Sequence, residues 1–232
     1  MKKISLLLLA VLTIGLNTVN AQKPFAGIIK SKVTIEGTTD PNILAQVPDE
    51  LVVYMYGNYT KTVVKSPGAI VSVITNGETK VMNQIFEVTG MGKYIIETTE
   101  SEISEAHANR EYNYNYTGEK KMIAGYSCEK VILTTIDKET DEETELILYV
   151  SKDLNANPNI NFASQPGLVG YPLCTQAKTE INGTEITQTT EAFEVTPSKK
   201  VKLVDFMLPS DGQKVTMEEL MKKFGMGGDD DE

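Results

Sequence analysis

Apolar and polar residues alternate with a period of two along most of this chain. In residues 25–36, for example, Ile29 and Val33 fall on one side while Lys30 and Lys32 fall on the other. This pattern is typical of a half-buried antiparallel strand. Alternation of this kind predicts further strands at residues 51–56, 59–65, 69–75, 80–88, 93–98, 111–117, 126–136 (starting at 123 or 126), 144–152, 168–181, 184–195 and 201–207.

The gaps between these segments contain residues that favour turns, such as Gly57-Asn58, Asn76-Gly77 and Asn182-Gly183. Connections this short join antiparallel neighbours, so the pattern predicts a β-meander and a mainly β protein. Short helices are predicted at residues 41–46, 101–110 and 216–224, the last opened by a capping box from Thr216 to Glu219. Residues 153–166 form the longest irregular stretch. Loops of this length often cover or gate a site, and the equal alternative is a surface loop without such a role.

The ends of the chain do not follow the strand pattern. Two lysines, an apolar run over residues 6–12 and small residues up to Ala21 are typical of a secretory signal peptide. The run is shorter than the roughly 20 residues of a membrane-spanning helix. We therefore expect a signal peptide in residues 1–21, a single β domain in residues 22–224 and a flexible acidic tail in residues 225–232. The mature protein is expected to be soluble and periplasmic, or secreted, without a transmembrane segment.

Charge and composition exclude several classes of function. The net charge is −10, and it becomes −12 once Lys2 and Lys3 leave with the signal. With Arg110 as the sole arginine, the chain is unsuited to binding nucleic acid. His107 is the sole histidine, which excludes metal sites built from several histidines. No serine lies in a nucleophile motif and no carboxylate pair stands out, so we expect no enzyme, no metal and no cofactor.

Cys128 and Cys174 are the two cysteines of the chain. In an oxidising compartment, two cysteines indicate one disulfide. Such a bond would close a loop of about 45 residues and stabilise the fold by about 3–4 kcal/mol in the chain-entropy model. The alternative interpretation is two separate buried thiols.

Tyrosines 112, 114 and 116 alternate with asparagines and therefore project from one face of a strand. Tyr54 and Tyr56 share a face in the same way. A tyrosine combines a large apolar surface with a polar tip, so such a row suits the wall of a cavity or an interface as well as ordinary sheet packing.

Several short motifs follow one another in a particular order. The most specific are IAGYSCEK at residues 123–130 and GYPLC at residues 170–174; others are VVYMYG at residues 52–57, LILYVSKDL at residues 146–154 and FMLP at residues 206–209. Over about residues 25–220 this order resembles the LolA-like superfamily of periplasmic half-barrels. It resembles most closely an uncharacterised envelope family, with a domain of unknown function, within or near that superfamily.

This resemblance implies an antiparallel incomplete (half) β-barrel of about eleven strands, with two or three short helices, around an apolar cavity. The lipoprotein carriers of the superfamily have an arginine before the proline of their third strand. Here Lys65-Ser66-Pro67 occupies that place, which argues against the same role in lipoprotein transfer.

We therefore expect a protein that binds a lipid, an acyl chain or another apolar or amphipathic ligand in the half-barrel. Alternation alone selects its candidate lining: Val52, Tyr54, Tyr56, Val63, Ile70, Ile85, Tyr114, Tyr116 and Leu148. The alternative is a non-catalytic envelope module with a filled core that binds a protein partner. A cavity smaller than about 300 Å³ would favour the module.

Overall fold

The computed structural model describes residues 23–45, 47–48, 50–181 and 183–225, and these residues form one twelve-stranded sheet with three short α-helices. The strands are β1 (Gly27–Glu36), β2 (Leu51–Tyr56), β3 (Tyr59–Ser66), β4 (Ala69–Asn76), β5 (Val81–Val88), β6 (Gly92–Thr98), β7 (Arg110–Ile123), β8 (Tyr126–Asp137), β9 (Glu143–Ser151), β10 (Tyr171–Ile181), β11 (Thr184–Pro197) and β12 (Gln213–Lys214). The helices are α1 (Pro41–Leu44), α2 (Glu100–Ala108) and α3 (Met217–Lys223).

The strand order is β12-β6-β5-β4-β3-β2-β1-β11-β10-β9-β8-β7. All neighbours are antiparallel except β12, which pairs with β6 in parallel. The prediction of a mainly β, antiparallel and incompletely closed sheet is confirmed. The predicted signal peptide, Gln46, Asn182 and almost all of the predicted acidic tail lie outside the described residues.

The sheet has two faces that differ in what covers them. We call the inner face the one that carries Ile29, Ser31 and Val33 of β1, which are 2%, 6% and 8% exposed. Lys30 and Lys32 project from the opposite, outer face. The predicted alternation in β1 is therefore confirmed. Helix α2, helix α3 and the irregular residues 153–170, which we call the plug segment, lie on the inner side.

The sheet is strongly curled but remains open. Strands β6 and β7 lie ten places apart in the sheet, yet residues 99–109, which include α2, suffice to connect them. At the other end of β7, its backbone approaches β11 within 8 Å between Cα atoms. The Lys121 ammonium donates to the Glu191 carboxylate there, at 2.6 Å. Three strands separate β7 from β11, so this contact requires the sheet to roll up.

Helix α3 begins directly after its predicted cap, Thr216, whereas helix α2 begins at Glu100, one residue before the predicted start. Thr99 accepts from the backbone N–H of Glu102 and the Glu102 carboxylate accepts from Thr99, which forms a capping box at α2. Thr216 and Glu219 form the same motif at α3. Leu220 of α3 is 4% exposed because it packs on the inner face of β5 and β6.

The prediction of a strand at residues 201–207 is wrong. This segment contains a 3₁₀ turn at Leu203–Phe206, in which the Asp205 carboxylate accepts from the Lys202 backbone N–H at 2.8 Å. Val201 and Phe206 are buried against the outer face of β4–β6, while the residues between them are exposed. Because only these two side chains of the segment need burial, a compact turn serves better than an extended strand.

Candidate functional site

The inner face of the sheet encloses a cavity of about 310 Å³, which we call the inner cavity. Its floor consists of inner-face residues from β1–β5, β10 and β11, and its roof is the part of the plug segment around Ile160–Gln165. Apolar side chains contribute one part of the wall: Ile29, Leu51, Val53, Val73, Met82, Ile160 and Leu173. Hydroxyl groups contribute another part: Ser31, Thr60, Thr62, Thr75, Ser164, Thr175 and Thr190. Among the residues that the structure describes, no charged residue lines the inner cavity.

Two wider hollows adjoin the other side of the plug segment. The first, the α2 cleft, has a volume of about 550 Å³ and lies between α2 and the plug, with Ile103, Phe162 and Leu168 among its walls. The second, of about 580 Å³, lies under Tyr112 and Leu133 and shares Ala163 and Ser164 with the inner cavity. The plug segment is therefore the partition between all three spaces.

Two of the tyrosines singled out in the sequence hold the plug segment in place. The Tyr114 hydroxyl donates to the Pro166 carbonyl at 3.1 Å, and the Tyr116 hydroxyl accepts from the Val169 N–H at 3.3 Å. Burial raises the pKa of the Tyr114 hydroxyl well above its ordinary value, and the neighbouring tyrosines add to this rise. The hydroxyl therefore remains a proton donor at physiological pH. Leu168, between the two contacts, is 2% exposed.

The third tyrosine of the row fixes α2 instead. The Tyr112 hydroxyl hydrogen-bonds to Nδ1 of His107, whose ring packs edge-on against the Tyr112 ring at 5.4 Å between centroids. The other ring nitrogen, Nε2 of His107, is buried without a partner among the described residues. His107 lines both the α2 cleft and the second hollow. A buried nitrogen of this kind is a natural partner for a polar group of a bound molecule.

Gly77 allows the plug segment to approach the sheet closely. A Cβ atom at this position would lie 2.7 Å from the Asn159 carbonyl oxygen and 2.8 Å from its carbon. Within the plug segment, the Asn161 side-chain amide donates to the Gly170 carbonyl at 2.8 Å and links the middle of the segment to its end. The segment is thus held against the sheet at several points along its length.

The structure does not bring the nine predicted lining residues together. The register pairs Val53 with Ile29, Thr62 with Val53 and Val73 with Thr62, which places these residues on the inner face. Residues at the alternate positions of these strands and of β5 therefore project from the outer face. Six of the nine predicted residues are of this kind: Val52, Tyr54, Tyr56, Val63, Ile70 and Ile85. Tyr114, Tyr116 and Leu148 lie on the inner face, in the cluster around Leu168. None of the nine lines the inner cavity.

Sequence reasoning did not identify the lining of the inner cavity because β2–β5 carry apolar residues at both parities. The outer face of these strands is itself covered, by Val201, Phe206 and Leu208. When both faces are buried, hydrophobic alternation no longer identifies the inner one. The threonines at positions 60, 62 and 75 were the available signal for the inner face. Thr60 and Thr62 alternate along β3, and all three lie on the face opposite to the predicted one.

The predicted disulfide is not formed, because Cys128 and Cys174 are both free and buried. Cys128 lies in β8 and Cys174 in β10, with β9 between them. Two strand spacings amount to roughly 10 Å, and a disulfide requires Cα atoms within about 7 Å. Burial raises the pKa of the Cys128 thiol to about 11 and that of Cys174 to about 12, and Glu191 contributes to both shifts.

Two negative findings apply to the described part of the chain. It contains no group of three or more histidine, cysteine, aspartate or glutamate side chains placed to hold a metal ion. None of its helices combines the length and the apolar character needed to cross a membrane.

Comparison with solved structures finds the same fold in part of a larger protein. Two crystal forms of PNGF-II match 87% of this chain, at 13% identity and TM-scores of 0.54 and 0.53. The chain spans about one third of the length of these structures, with 33% and 32% of them covered. At this identity the similarity shows a shared fold and nothing about activity.

Two smaller proteins are also similar. The Mycobacterium tuberculosis lipoprotein LppX matches at 15% identity with a TM-score of 0.29, covering 75% of this chain and 90% of LppX. MucB matches at 11% identity with a TM-score of 0.33, covering 82% of this chain and 58% of MucB. No protein-family model and no curated protein sequence matches the chain. Membership of the uncharacterised envelope family therefore remains a prediction.

Proposed function

We propose that this chain is an exported, non-catalytic binding protein that holds a neutral amphipathic ligand between its inner face and the plug segment. The observation that carries this proposal is the inner cavity, whose described wall combines apolar side chains with hydroxyls and contains no charge. The Thr60 and Thr75 hydroxyls bond to each other, and the Ser164 hydroxyl donates to Gln165. A purely apolar acyl chain would offer the other hydroxyls of the wall no hydrogen-bond partner, and a charged ligand would lose hydration without compensation. A molecule with an apolar body and uncharged polar groups satisfies both parts of the wall.

The space available favours a small ligand or one that also enters the α2 cleft. A cavity of about 310 Å³ lies at the lower limit for ligand pockets, just above the volume at which a filled module would be favoured. The neighbouring α2 cleft is larger and mostly apolar, and His107 offers an unpartnered nitrogen there. We propose the periplasm as the compartment, on the basis of the signal pattern in residues 1–21.

The test places a large side chain in the inner cavity at one position of β3. The control places the same side chain on the opposite face of that strand. Thr62 lines the cavity, whereas its neighbour Val63 projects from the outer face. Native mass spectrometry with the neutral monocaprin should show saturable binding to the wild-type mature protein and weaker binding of decanoate. Thr62→Phe should reduce monocaprin binding at least tenfold, and Val63→Phe should leave it within about twofold.

Equal binding by both variants would remove the inner cavity as the ligand site. The absence of saturable binding to the folded wild-type protein would favour the alternative, an envelope module that binds a protein partner. Urea unfolding of each variant shows whether a loss of binding reflects a loss of fold.

A further inference from the structure

Residues 199–207 form a surface on the outer side of the molecule that the proposed ligand site does not use. Three lysines and three apolar residues are exposed there, and we call this set the lysine ridge: Lys199, Lys200, Lys202, Leu203, Val204 and Met207. Leu203, Val204 and Met207 are 51%, 62% and 68% exposed. Large apolar side chains grouped in this way, next to charged ones, commonly mark an interaction site.

The exposure of the lysine ridge is a consequence of how the segment is anchored. Val201 and Phe206 are buried at 4% and 5% exposure, and the Phe206 ring packs at 5.7 Å from the Tyr59 ring. The Ser198 N–H donates to the Ala26 carbonyl at 3.0 Å, which fixes the start of the segment to the first strand. The intervening side chains are therefore held outward by a well-packed support.

The charge of the lysine ridge is opposite to that of the molecule. The chain carries a net charge of −10, yet residues 198–208 contain three lysines and a single acid, Asp205. Nine other lysines of the described residues form ion pairs, whereas Lys199, Lys200 and Lys202 form none with described residues. Lys61 adds a fourth cation, since its ammonium donates to the Asp205 carbonyl at 3.3 Å.

A surface hollow of about 640 Å³ adjoins the ridge. Its walls include Pro24, Tyr56, Pro197 and Val201, and none of its described lining residues is acidic. Lys23 and Lys199 are its two charged lining residues. The cationic and apolar character of the ridge thus continues into a concave surface large enough for part of a lipid.

We propose that the lysine ridge docks the protein on the surface of a bilayer that contains anionic phospholipids. Lysines attract anionic headgroups, while the adjacent apolar side chains enter the boundary between headgroups and acyl chains. The ridge lies on the outer side of the sheet, so docking leaves α2 and the plug segment facing away from the sheet–membrane contact. This proposal goes beyond the ligand site and does not depend on it.

The first experiment is sedimentation of the mature protein with vesicles at low ionic strength. Vesicles of phosphatidylcholine with about one third phosphatidylglycerol should bind the protein, and pure phosphatidylcholine vesicles should bind it at least tenfold more weakly. The variant Lys199→Gln/Lys200→Gln/Lys202→Gln should lose about 100-fold in affinity, given the contribution of each lysine near an anionic surface. The matched control is Lys65→Gln/Lys120→Gln/Lys138→Gln, which has the same net charge and alters exposed lysines outside residues 199–207. It should bind within about threefold of wild type.

The second experiment uses the absence of tryptophan from the sequence. Val204→Trp introduces a single fluorescent tryptophan in the lysine ridge. Met122→Trp introduces one outside the ridge, at an apolar residue that is 65% exposed. Anionic vesicles should shift the emission of the Val204→Trp variant to the blue and leave that of Met122→Trp unchanged.

Three outcomes would overturn the proposal. Equal binding to both kinds of vesicle would remove the electrostatic basis, and an equal loss in the control variant would show that net charge, not the ridge, is responsible. Full competition by soluble glycerol phosphate, with no blue shift, would indicate a site for a free phosphate instead of a bilayer.

Discussion

Single residues in this protein show how burial changes chemistry. Cys128 and Cys174 are 0% and 1% exposed, and burial raises the pKa of both thiols. A thiol that stays protonated is a poor nucleophile, so these cysteines are packing residues. The tyrosines of β7 use burial differently, because their rings fill the cluster around Leu168 while their hydroxyls bind α2 and the plug segment.

Because both cysteines are buried, we predict that the free energy of unfolding decreases at alkaline pH. Above about pH 9 the unfolded chain releases thiol protons that the folded chain retains until pH 11 to 12, so the free energy of unfolding falls as pH rises. Each thiol contributes a slope of at most about 1.4 kcal/mol per pH unit in that window. Urea unfolding between pH 8 and about pH 10.5 should show a shallower decline for Cys174→Ala than for wild type. Parallel profiles would contradict this prediction, and Met122→Ala provides the control with an unchanged slope.

At the scale of elements, the plug segment is the part of the fold that defines the site. It separates the inner cavity from the α2 cleft, and side chains of the sheet, such as Tyr114 and Tyr116, hold it in place instead of a strand ladder. Segments attached in this way open more readily than the sheet beneath them. Its position depends on the close approach at Gly77, where a side chain would collide with the Asn159 backbone.

Gly77→Ala should therefore displace the plug segment without altering the sheet. We expect a loss of about 1–3 kcal/mol in the free energy of unfolding, the usual cost of forcing extra atoms into a packed contact. Amide hydrogen exchange should become faster in residues 157–169 and remain unchanged in β2 and β3. The neighbouring exposed Thr79→Ala is the control and should change stability by less than about 0.5 kcal/mol. Unchanged exchange in the plug segment would show that the segment tolerates the displacement.

The whole molecule is an open sheet whose two faces are covered by different parts of the chain. The plug segment and α2 cover the inner face, while residues 201–208 cover the outer face of β4–β6. The chain then passes the β6 edge as the parallel strand β12 and places α3 on the inner face. Because the C-terminal segment contacts both faces of the sheet, its packing affects the stability of the entire fold.

Phe206→Ala tests this dependence. Phe206 is 5% exposed and fills the outer-face cluster, so its truncation should lower the free energy of unfolding by about 3–5 kcal/mol, in a single cooperative transition. Leu203→Ala, in the same segment at 51% exposure, should cost less than about 0.5 kcal/mol. Similar values for the two variants would mean that the segment does not act as a cover for the sheet.

The sequence by itself determined most of the elements of this protein. Strand positions such as Leu51–Tyr56 and the start of α3 agree with the prediction, because they depend on turn residues, alternation and a capping box within a few positions. Helix α2 begins one residue before its predicted start, because its capping box at Thr99 was not identified. The candidate site was much less predictable. The plug segment was visible as a long irregular stretch, and the three tyrosines were correctly placed on one face, but the cavity-lining residues Val53 and Thr62 were not identified.

Only the tertiary structure decided which face of β2–β5 is inner, whether the two cysteines meet and how residues 201–207 fold. Each of these depends on a surface contributed from a distant part of the chain: the outer face is apolar because Val201 and Phe206 cover it, and β9 keeps Cys128 away from Cys174. The local sequence pattern indicates that a residue is buried, but it does not indicate which part of the chain covers that residue. That information lies in the strand order and the register, which long-range packing selects.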